Sequence, residues 1–277
     1  MRRTRLRSAR LAAVVGGVVM IAAIAACGPP PPQAYRAPRS PDGKPNLSGI
    51  WQANNTANWD IQAHVARQGP VSALGAAFSI PAGLGVVDGD EIPYLPEALA
   101  KKKANGDSWM TLDPEIKCFM PGIPRATYMP YPFQIVQSTD AILMTYEFAS
   151  ASRVVRMNSK ETSTAPAWMG WSIGRWDGET LVIDVTDHAE DTWFDRAGNY
   201  HSEALKVTER YTALDANTLQ YEATLEDPKV FSRPWKMIMP LYRRREPGVR
   251  LMEYKCVPFA EELMYGHLRK QPRTGAR

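Results

Sequence analysis

The stretch from Trp168 to Arg210 constrains the architecture more than any other part of the chain. Residues 173–176 and 181–185 are short runs of β-formers, and Asp177-Gly178 between them is a pair that a tight hairpin turn favours. Similar runs recur at 133–137, 142–148, 153–157, 205–211, 219–225, 235–241 and 250–256, with polar or small residues between them. In 219–225 the residues Leu219, Tyr221, Ala223 and Leu225 alternate with Gln220, Glu222 and Thr224, so one face is wet and the other buried. With Gly49-Ile50-Trp51 as a first strand, about nine strands follow at hairpin spacing, with almost no helix among them. The expected fold is mainly β: an antiparallel meander closing into a barrel or a strongly curled sheet.

The N-terminus is set aside before any fold argument. Arg2, Arg3, Arg5, Arg7 and Arg10 precede an uncharged apolar run over 11–26. That run is shorter than the roughly 20 residues that span a bilayer. It ends in Ile24-Ala25-Ala26-Cys27, which resembles a bacterial lipobox. Residues 1–26 therefore read as a signal peptide and Cys27 as the lipidated first residue; an ordinary secretory signal and an uncleaved anchor are the alternatives. Residues 27–47 are rich in proline, which fixes φ, and read as an extended tether. Gly28, rather than Asp, after the lipidated cysteine favours the periplasmic side of an outer membrane.

Removing the leader changes the charge balance. Five of the 33 Lys and Arg residues precede Cys27 and no acid does, leaving 28 basic against 29 acidic side chains. Nucleic acid is thereby excluded as an expected partner, because it needs a basic folded surface. In an exported chain Cys118 and Cys256 read most simply as a disulfide, with two buried thiols as the alternative. Residues 48–268 form the expected β-rich domain, and 54–130 an irregular, lid-like insertion within it. Within that insertion 96–104 predict a short helix stopped by Asn105-Gly106, its lysine run a solvated face. A terminal helix is expected over 261–268, and 269–277 as a disordered basic tail.

Several pieces recur together in a known group. They are Pro41-Asp-Gly-Lys-Pro-Asn-Leu-Ser-Gly-Ile-Trp51, Pro130-Tyr-Pro-Phe-Gln-Ile-Val-Gln137, Gly174-Arg-Trp-Asp-Gly-Glu-Thr-Leu-Val182, Thr192-Trp-Phe-Asp195 and His201-Ser202. In this combination the chain resembles a large family of exported bacterial proteins and lipoproteins, over most of its mature length. The resemblance implies an envelope location and supplies no activity and no catalytic residue. One departure is that Val257-Pro258-Phe259 follows the last cysteine where the family often carries an acidic segment containing Gly-Asn. Gly49-Ile50-Trp51 separately resembles the first strand of lipocalin-like barrels, whose tryptophan plugs the floor.

The densest set of chemically capable side chains is Asp187, His188, Asp191, Asp195, His201 and Glu203. His201, oriented by Asp195 or Glu203, is suited to general acid–base work because imidazole titrates near neutrality. Alternatively His188, Asp191 and His201 bind a divalent cation, zinc by their donor types; a set of aspartates would suit calcium. In a third reading the loop presents polar groups to a ligand, and in the plainest it is a solvated loop. No cofactor is expected, with the metal kept only as an alternative. Glu209 and Arg210 are strand neighbours and point to opposite faces, so one must face inward and find a partner. Arg175, Arg233, Glu222 and Glu253 are the candidates, and an inward Arg175, Arg210 or Arg233 could hold a ligand carboxylate. Trp193 and Trp235, if they line one cavity, favour a flat apolar ligand.

The chain lacks Gly-x-Ser-x-Gly, P-loop, GxGxxG and His-Glu-x-x-His motifs. The expected protein is a membrane-anchored envelope lipoprotein whose lipocalin-like domain binds a small, largely apolar or aromatic molecule, its mouth closed by 54–130 and 186–203. The alternatives are a cofactor-independent lyase, isomerase or hydrolase using His201, or a structural envelope protein without a ligand.

Overall fold

The computed structural model describes residues 35–269; the expectations for the signal peptide, Cys27, the first part of the tether and residues 270–277 lie outside that range. Among the described residues nine strands close into one barrel in sequence order. They are β1 (Gly49–Gln52), β2 (Phe133–Gln137), β3 (Ala141–Tyr146), β4 (Ser152–Met157) and β5 (Trp171–Asp177), then β6 (Thr180–Thr186), β7 (Lys206–Ala213), β8 (Thr218–Glu226) and β9 (Trp235–Arg243). The alternation read from the sequence is the pleat that points side chains inward. Leu219, Tyr221, Ala223 and Leu225 of β8 are buried, as are Trp235, Met237, Met239 and Leu241 of β9. Trp51, Phe133, Tyr211 and Tyr221, all inaccessible to solvent, are among the large side chains that fill the barrel. Each such burial stabilises by about 1.5–3 kcal/mol relative to an exposed side chain.

The sheet departs from a pure meander at one place. β4 and β5 pair in parallel, Val155 opposite Ser172. Residues 158–170 provide the long return that a parallel pair requires. β1 pairs with both β2 and β9, which closes the barrel and leaves no edge. For that reason 250–256 is not a strand, contrary to expectation. Residues 244–259 run back outside the barrel, held by Arg244 N–H to the Ile50 carbonyl (2.9 Å) and by Tyr254 against Tyr131 and Phe148.

The two ends of the barrel differ. One carries the short turns β2–β3, β5–β6 and β7–β8, and the described chain enters there. Residues 37–47, expected to belong to the tether, are docked at this end. Ala37, Pro45 and Leu47 are buried, and the Gln137 side chain bonds Leu47 N–H, the Pro45 carbonyl and Ser40. The other end holds the whole insertion 53–132 and the loop between β6 and β7.

The insertion contains helices α1 (Pro96–Asp107), α2 (Trp109–Leu112) and α3 (Arg125–Tyr128), and the chain closes with α4 (Ala260–Arg269). α1 continues through Asn105-Gly106, which had been expected to stop it. Gly106 is needed there because a side chain would strike the Ala197 backbone. Cys118 and Cys256 form a disulfide, Cα atoms 5.6 Å apart, tying the outer return segment to the insertion.

Candidate functional site

The loop 187–205 is shaped by an internal antiparallel bridge, Trp193 opposite Tyr200, around a turn with Gly198 at φ +89°. Asp195 holds that turn. Its carboxylate accepts from Asn199 N–H (3.1 Å), Asn199 Nδ2 (2.6 Å) and, across the chain, Ile61 N–H (2.9 Å). Arg196 leaves the turn for Glu115 and Glu261, its guanidinium stacked over Trp59 and Trp109. Arg125, itself buried, pairs bidentately with Asp113. These ties lock the loop to the insertion.

Between them lies a recess of about 330 Å³. α1 contributes Lys101 and Asn105, the stretch after α2 contributes Lys117 and Phe119, and the loop contributes Glu190, Asp191, Trp193, His201 and Ser202. His201 is almost fully buried behind this surface. Its Nδ1 lies 2.8 Å from the Ser202 carbonyl, which only accepts, so Nδ1 carries the proton. Nε2 then accepts from the Thr192 hydroxyl at 2.6 Å. Burial holds the imidazole pKa below its ordinary value. His201 is thus a neutral ring with both nitrogens engaged. His188 stands behind it, ring centroids 5.7 Å apart, with neither nitrogen partnered, and burial together with His201 pushes its pKa down to about 3.

Of the residues singled out in the sequence, His201, Asp191 and Trp193 come together at the recess. The others do not. Asp195 is fully buried and accepts from Asn199 of the turn and from Ile61 N–H, not from His201. Glu203 is exposed and pairs with Lys229. Arg175, Arg210 and Arg233 all lie outside the barrel, paired with Asp184, Asp177 and Glu91. Trp235 is a core residue against Phe194 and Phe231. Among the described residues no three His, Cys, Asp or Glu side chains gather as a metal would require, His188, Asp191 and His201 included.

Glu209 is the inward member of its pair, but its partner is Arg153, not Arg175 or Arg233. The Arg153 guanidinium grips both carboxylate oxygens at 2.6 and 3.1 Å, and Tyr211 and Tyr221 each donate to Oε1 at 2.9 Å. Tyr146 accepts from Arg153 Nε, and Thr127 of α3 is buried with its hydroxyl unpartnered. Parity could have exposed Arg153: Arg153 and Arg156 are three residues apart in one strand, so one must face each way.

The Asp195 carboxyl is pushed up to about 7 by burial and then by Asp60, against its three N–H donors. Its folded pKa is above the unfolded value of about 4. Its contribution to stability is therefore whole below about pH 4 and is lost as pH rises through 7. Asp60→Asn removes the repulsion, lowers the Asp195 pKa toward its unfolded value and so makes that loss smaller. Urea midpoints of the two proteins between pH 4.5 and 8 are expected to diverge, the variant holding up better above pH 6; superimposable profiles would refute the coupling.

Fold and site define a closed, mainly β barrel consistent with a lipocalin-like architecture, its lumen filled with side chains and a polar recess at one end. No protein family matches the chain, and no curated protein is significantly similar to it.

Proposed function

We propose that this is a lipid-anchored envelope protein that binds a small molecule at the mouth of its barrel rather than inside it. The observation that carries this reading is the recess of about 330 Å³, which lies in the size range of small-molecule sites and joins two aromatic side chains to Lys101, Lys117, Asp191 and His201. The filled lumen argues against an apolar ligand carried there. The mixed lining favours a compact molecule with one flat apolar face, for Trp193 and Phe119, and a polar edge. The described chain enters at the opposite, turn-bearing end of the barrel, away from the recess.

Native mass spectrometry of the full-length protein isolated from the bacterial envelope tests the proposal. An acyl increment on Cys27 and a small bound molecule are expected, with the bound molecule absent from a Lys117→Glu, Trp193→Ala variant that keeps its fold. A ligand-free mass, together with no thermal shift across a panel of small molecules, would sink the binding reading.

A second reading, a hydrolase or isomerase, draws on one geometric observation: a hydroxyl 2.6 Å from the basic nitrogen of a neutral imidazole, itself oriented by a carbonyl. His201→Gln separates the two. Loss of turnover of the bound compound with affinity retained would make His201 a catalytic base.

A further inference from the structure

α1 forms a wall between two recesses. On the side away from His201 lies a larger groove of about 850 Å³, between the helix and the segment 64–83. That segment is folded on itself by the bridges His64–Gly83 and Arg67–Ile80. The groove's apolar lining is Ile80, Leu99, Ala100 and Trp109, with Pro70 and Pro96. Leu99, 53% exposed, faces the groove.

The charges around this surface are unequal. Lys103 is satisfied by Asp107 at 2.7 Å. Arg67 and Lys102 have no carboxylate within ion-pair distance among the described residues. The remaining acid, Asp60, uses Oδ1 to hold Gln62 N–H. An apolar floor with two cations at its rim and no anion paired to them is complementary to an amphiphile with one negative end.

We infer that this groove is a second binding site, for an anionic amphiphile. Its hydrocarbon or aromatic body lies on Ile80, Leu99 and Trp109, and its carboxylate, sulfate or phosphate is held by Arg67 and Lys102. Charge-assisted hydrogen bonds to such a head group are roughly twice as strong as neutral ones, so the negative end contributes much of the discrimination. The site stands independently of the His201 recess.

Calorimetric titration of the full-length protein with 2-naphthoate and its neutral isostere 2-naphthamide tests the inference. Saturable binding of the carboxylate is expected, at least about tenfold tighter than the amide, a factor worth 1.4 kcal/mol. Arg67→Glu with Lys102→Glu should weaken naphthoate by at least that factor, and Leu99→Asp, at a half-exposed position of α1, should do the same. Lys160→Glu, in the loop between β4 and β5 and remote from both recesses, should leave it unchanged. No saturable binding, equal affinity for acid and amide, or a loss in Lys117→Glu as large as that in Arg67→Glu with Lys102→Glu would each overturn the assignment.

Discussion

Glu209→Gln is expected to lower the free energy of unfolding by about 3–5 kcal/mol, the cost of stranding a buried charge. Arg153 and Glu209 are both essentially inaccessible, so water has no route to the guanidinium once its partner is gone. The substitution is sharp because it spares most of the network. Gln keeps an oxygen where Tyr211 and Tyr221 donate, but places an NH₂ where Oε2 now faces Arg153 Nη1 at 2.6 Å. Removing both charges with Arg153→Met and Glu209→Leu is not expected to restore stability. The Tyr211 and Tyr221 hydroxyls would lose their acceptor, at about 1–3 kcal/mol each. Adding Tyr211→Phe and Tyr221→Phe should recover most of the loss. The readout is the urea midpoint at constant slope. A Glu209→Gln protein within about 1 kcal/mol of wild type would show that the centre is hydrated. The cluster joins β3, β4, β7 and β8 across the lumen, so one misplaced register would strand a charge. Such a core leaves the lumen filled with side chains.

That centre marks where the sequence stopped being legible. Period-two alternation located the strands, because a half-buried sheet writes its burial pattern into adjacent residues. The Asp177-Gly178 turn was equally local, with Gly178 at φ +58°. What depended on distant partners was not readable in the same way. Arg153 lies 56 residues from Glu209, and the pairing follows from barrel closure, not from either strand. The run 250–256 looks like a strand and lacks only an edge to join, because β1 and β9 had already found each other. Asn105-Gly106 has the composition of a helix stop, yet Gly106 serves close packing against a loop more than ninety residues away. The recess was half visible. The loop residues Asp191, Trp193 and His201 stand out as a cluster, whereas Lys101, part of a run that reads as a solvated face, and Lys117, which no motif marks, arrive from the insertion. Asp195 misled for a physical reason: the carboxylate that would orient a histidine in a catalytic site is here occupied by Asn199 of its own turn and by Ile61 N–H of the insertion.

Loss of the Cys118–Cys256 bridge is the second large effect expected. The chain-entropy model gives about 5 kcal/mol for closing a loop over a sequence separation of 138, near the top of the range such bridges show. The measured loss should be smaller, in the range of about 2–4 kcal/mol, because the reduced protein has an alternative to global unfolding. Residues 244–259 contribute no strand to the sheet and rest on isolated contacts, among them Met252 N–H to Glu147 and Phe259 N–H to the Ile116 carbonyl. Once untied, they can leave while the closed barrel persists. α4 goes with them, and its Glu261 contact to Arg196 of the β6–β7 loop and its Tyr265 contact to Phe78 of the insertion are lost. Cys118→Ser with Cys256→Ser should therefore lower the urea midpoint, and limited proteolysis should cut first between 245 and 255 with the barrel intact. Both recesses border α1 and its neighbours, so ligand affinity should fall before the barrel unfolds, a sequence of events that titration at intermediate urea would resolve. If the double variant matched wild type in both midpoint and protease resistance, the return segment would be held by its own contacts, and the bridge would be only an accessory to them.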